Sequence, residues 1–212
     1  MGLNYGFHVI VPRARTTALL EAVAAHLVDA DRARLIAALP WQPSVESQRL
    51  LASTEIATDA RGIARLALQT SETPESWCFS FMHRADAPLI AYLADHPAPH
   101  NRHAALGELV RVGCVWTTLR AGETLAVFEG VAATSDMSRL FAASASVQAT
   151  WVDIAARAGA LQLFFDTEDE IYWDVVANPR RRVPRPPDED FTFDDDYQVS
   201  VDHFYQRAIA AR

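Results

Sequence analysis

Tyr5, Phe7, Val9 and Val11 alternate with Gly6, His8 and Ile10, the two-residue period of a strand, and Pro12 ends the run. Leu19, Leu20, Val23 and Leu27 then recur at three- and four-residue spacing, predicting a helix that Thr16 or Thr17 can cap. A short second helix is expected from Asp31 to Leu39, stopped by Pro40, and Ser44 is a cap for another through Leu51. Ala64, Leu66 and Leu68, followed by Trp77, Phe79 and Phe81, read as two neighbouring strands. Asp86 and Pro88 together start a helix, because a capping carboxylate precedes a ring whose missing N–H costs nothing there. Leu89, Ile90 and Leu93 supply its apolar stripe.

Further along, Val110, Val112, Cys114 and Trp116 are expected to line one face of a strand. Arg120 to Glu123 makes a turn, and Leu125, Val127 and Phe128 belong to the returning strand of a hairpin. From Met137 to Ala158 the apolar positions follow helical spacing, with Thr134 or Ser135 as cap, Gly159 as the left-handed stop, and Ser144 and Ser146 marking a split. Leu161, Leu163 and Phe165, then Ile171, Trp173 and Val175, form a second hairpin across the acidic turn Thr167 to Glu170. The order of elements predicts an α+β fold: an antiparallel sheet of two or more hairpins with helices packed on one face, related to the ferredoxin-like arrangement or to a duplicated variant of it.

Residues 1–177 read as one such domain, for which 50% apolar content is ample. Residues 178–198 are a Pro/Arg-rich and then acidic extended arm, since proline obstructs both helix and sheet. Val201, Phe204, Tyr205, Ala208 and Ile209 give residues 199–212 the stripe of a terminal helix, too short to persist unless it docks in cis or on a partner.

Every basic side chain is arginine, so chemistry that requires a lysine on phosphates, in a Schiff base or beside a serine nucleophile is excluded. A formal charge of −8 disfavours nucleic acid as a partner and favours a basic protein. No leader and no membrane-length apolar stretch is recognisable, which suits a cytoplasmic protein without membrane contact. Cys78 and Cys114 lack Cys-x-x-Cys spacing and read as buried free thiols.

Two patterns stand out as candidate sites. His96, His100 and His103 are the densest potential metal ligands, although Pro97 and Pro99 prevent a regular helix through the first pair. Asp188, Glu189, Asp190, Asp194, Asp195 and Asp196 interleave with Phe191, Phe193 and Tyr197, a composition suited to engaging a basic protein surface. Trp41, between prolines, is a further contact candidate, whereas the other four tryptophans read as core or sheet-face filler.

The leading expectation is therefore a non-enzymatic, acidic protein-binding module, of the immunity or inhibitor kind or an accessory subunit, with no cofactor. The first alternative is a small-molecule hydrolase, metal-assisted or not, which would gather at least two of His8, His83 and the 96–103 histidines with a carboxylate in one pocket. The second is a homo-oligomeric structural protein.

Overall fold

The computed structural model describes residues 2–37, 75–98, 101–103, 108–121, 124–168, 171–174, 181–184 and 206. The elements expected around Ser44–Leu51 and Ala64–Leu68, together with Trp41, His100 and residues 188–197, lie outside them.

The described elements are β1 (Gly6–Pro12), a 3-10 turn (Arg13–Arg15), α1 (Thr16–Ala24), α2 (Asp29–Ala37), β2 (Glu75–Arg84) and α3 (Ala87–Asp95). They continue with β3 (Arg102–His103), β4 (Leu109–Ala121), β5 (Leu125–Val131), α4 (Ser135–Ala143), α5 (Ala145–Ala158), β6 (Gln162–Asp166), β7 (Ile171–Asp174) and β8 (Arg181–Pro184). All described strands join one antiparallel sheet in the order β2-β4-β5-β1-β6-β7-β8, with β3 also on β4. The fold class is α+β, as expected. Along β6-β1-β5-β4 the chain visits β1, helix, β4, β5, helix and β6, the order of a split βαβ unit, with β2 and α3 inserted and β7 and β8 added at one side. The ferredoxin-like comparison extends to this strand order and no further. Within the Pro/Arg-rich arm, Arg181–Pro184 pairs with β7; Pro184 falls at the strand's end, where a missing N–H is tolerated.

Local signals act much as the chain suggests. Asp86 accepts from Leu89 N at 3.0 Å to cap α3. Thr134 accepts from Met137 N at 3.2 Å to cap α4. Ser144 splits the long helical stretch, accepting from Val147 N at 3.1 Å as the cap of α5. Gly159 ends α5 at φ 64°, where a side chain would also crowd the Arg15 guanidinium that binds Ala158 O. One cap differs: Thr16 lies inside α1 and donates to Arg13 O at 2.6 Å, because the 3-10 turn before it already supplies the helical start.

The helices and one sheet face enclose an apolar cluster around Trp151. Its indole stacks on Phe7, with centroids 5.2 Å apart, and leans on Phe81 and Phe128. The other face is shielded at its centre too, since Ile10, Val127 and Phe164 are buried there.

One strand departs from the expected phase. Phe79 pairs with Val115 but Phe81 pairs with Val112, so Gly113 and Cys114 together oppose Ser80 in a β-bulge. Cys114 takes the left-handed conformation at φ 62°. The extra residue turns every later side chain over: Val110 and Val112 face the core before it, Val115, Thr117 and Leu119 after it. Trp116 is consequently not core filler; it stands on the opposite sheet face with 53% of its surface exposed. Cys78 and Cys114 are of intermediate burial, less enclosed than expected.

Candidate functional site

The bulge forms one wall of a cavity of about 380 Å³. Helix α3 contributes Tyr92, the segment after it His96, Pro97, Ala98 and Asn101, β4 Gly113 and Cys114, and the start of α4 Thr134, Asp136 and Met137. The lining is mainly apolar, with a few converging polar groups.

Asn101, buried, holds two walls together. Its Nδ2 donates to His96 O at 3.2 Å and its Oδ1 accepts from Gly113 N at 3.0 Å, so one side chain fixes both the segment after α3 and the bulge. Burial raises the Tyr92 phenol above its usual range, against the opposing effect of side-chain hydrogen bonds with Asn101 and Thr134. The Tyr92 ring also carries the His96 imidazole, stacked at 4.4 Å.

His96 is held between two acceptors: its Nδ1 is 3.0 Å from Tyr92 O and its Nε2 is 3.3 Å from Asp136 Oδ2. A ring donating to both is the imidazolium; a neutral ring keeps one bond. Asp136 lies in the first turn of α4, where the helix dipole favours a carboxylate, and also accepts from Arg139 Nη1. The arrangement thus places an imidazole, a carboxylate that orients it and a neighbouring cysteine on one concave surface.

Of the sequence-derived candidates, His96 lines this cavity, His103 lies on β3 beside Val110, and His100 falls outside the described residues. Both ring nitrogens of His96 already face protein acceptors, and among the described residues no group of three metal-ligating side chains occurs. Asp188–Tyr197 and Trp41 lie outside the described residues. Gln206, from the expected terminal helix, donates to Thr124 Oγ1 at 3.1 Å, a contact within the chain. Asp136, Tyr92, Asn101, Cys114 and Thr134 were not anticipated as one site. Tyr92 lies inside α3 and Cys114 inside β4, while Asn101, Thr134 and Asp136 lie near element ends, so no shared sequence signal marks them as one site.

The other histidines are dispersed. His83 is buried on the helix face, with Nδ1 2.8 Å from Thr150 Oγ1; burial, reinforced by His26, lowers its pKa to about 3. His8 lies on the reverse face between Glu129 and Asp166, at 3.5 and 3.8 Å, with all three residues buried. The sheet therefore separates His8 from His83, and the expected pocket with two of these histidines does not form among the described residues.

Comparison with known proteins yields no match: no family model, no curated protein and no solved structure is significantly similar to this chain. Among the described residues, no helix is long and apolar enough to cross a membrane.

Proposed function

We propose that the cavity between α3, α4 and the β4 bulge binds a small molecule, and that the His96–Asp136 pair is its acid–base element. The observation that carries this reading is the convergence of His96, Asp136, Tyr92 and Cys114 on one largely apolar hollow. Such a lining suits a neutral compound with an apolar body and one amide, ester or hydroxyl group. That group would insert at the 3.3 Å contact between His96 Nε2 and Asp136 Oδ2, while Tyr92 O continues to hold the ring through Nδ1. With an ester or amide bound, Nε2 would take a proton from a water molecule as its oxygen attacks the carbonyl and return that proton to the departing alcohol or amine, the chemistry of a small-molecule hydrolase. In an NMR screen of small amides, esters and alcohols, at least one class should shift the His96 ring resonances. The same compounds should lose affinity in His96→Gln and Asp136→Asn at unchanged fold. No binding across the set, or equal binding by both variants, rejects the reading.

A protein-binding role is the second reading, supported by the charge of −8 and by Trp116, an aromatic side chain exposed on a sheet face. In this reading the protein acts as an immunity-like or accessory subunit toward a basic partner. A specific partner captured by the full chain and lost in Trp116→Ala would favour it over the cavity; capture of none would count against it.

A further inference from the structure

We draw no further inference here: the strongest candidate, the Cys114 thiol in the β4 bulge on the cavity wall, belongs to the site already described, and no second feature beside it points to a ligand of its own.

Discussion

The indole of Trp151 fills the space above Gly130, where an added Cβ would stand 2.2 Å from the indole Cη2. Glycine weakens a strand interior, so its presence in β5 is explained by this close approach of the largest buried side chain.

Gly130→Ala should therefore destabilise the protein by about 1–3 kcal/mol, the usual cost of overpacking a filled core. Trp151→Phe should cost stability alone yet soften the alanine's effect, so that the double variant is more stable than the summed losses imply. Urea denaturation of the four proteins measures this coupling. Additive losses would mean that the indole does not dictate the glycine.

His83 and Thr150 set a proton balance. Thr150 Oγ1 donates to Ser146 O at 3.1 Å, so it accepts from His83 Nδ1–H, and burial keeps that ring neutral. With the folded pKa near 3 against an ordinary 6.5, the unfolded chain takes up a proton that the fold refuses. Stability is thus unaffected above about pH 6.5 and falls below it, by about 1.4 kcal/mol per pH unit at most. His83→Gln, which keeps a donor for Thr150, should flatten the profile below pH 6.5, down to about 3. A variant with an unchanged slope there would assign the acid sensitivity to other groups.

Asp86 is a shared cap. Its Oδ1 accepts from Leu89 N in α3, and its Oδ2 accepts from Ser144 Oγ at 2.8 Å and Ser146 N at 3.0 Å at the start of α5. Burial by itself raises its pKa, but these bonds more than reverse that and hold it below 3.8. Its contribution is accordingly present above the unfolded value and lost as pH falls through the lower folded one. Asp86→Asn turns an amide toward two donors and should cost about 1–3 kcal/mol at neutral pH. Hydrogen exchange should accelerate at the starts of both α3 and α5; acceleration in α3 alone would deny the link.

Cys114 tests the bulge. Its left-handed backbone costs about 1–2 kcal/mol for a residue with a Cβ, which Gly lacks and a β-branched residue worsens. Cys114→Gly should leave stability nearly unchanged, the relief of strain being offset by a freer unfolded chain, whereas Cys114→Val should lose at least about 1 kcal/mol. Thermal melts of both suffice, and a neutral valine variant would show that the bulge relaxes.

Much of the architecture was legible because its signals are local. Asp86 and Pro88 start α3, Ser144 interrupts the stretch from Ser135 to Ala158, and Gly159 stops it, each through bonds or φ preferences within a few residues. The alternation of Phe7, Val9 and Val11 marks the core face of β1 for the same reason. The phase of β4 was misleading, because a strict two-residue period hides an insertion that only the partner strand reveals at Phe79 and Phe81.

Composition and spacing thus determined the α+β class, the order of most described elements and the presence of His96 in a polar segment. Only the tertiary structure decided that Asp136, forty residues away in the chain, meets that imidazole, that Trp116 faces outward and that His8 and His83 are divided by the sheet. Caps and turns are written in short-range hydrogen bonds. A site depends on how strand register and helix packing bring distant residues together, and a linear pattern does not encode that distance.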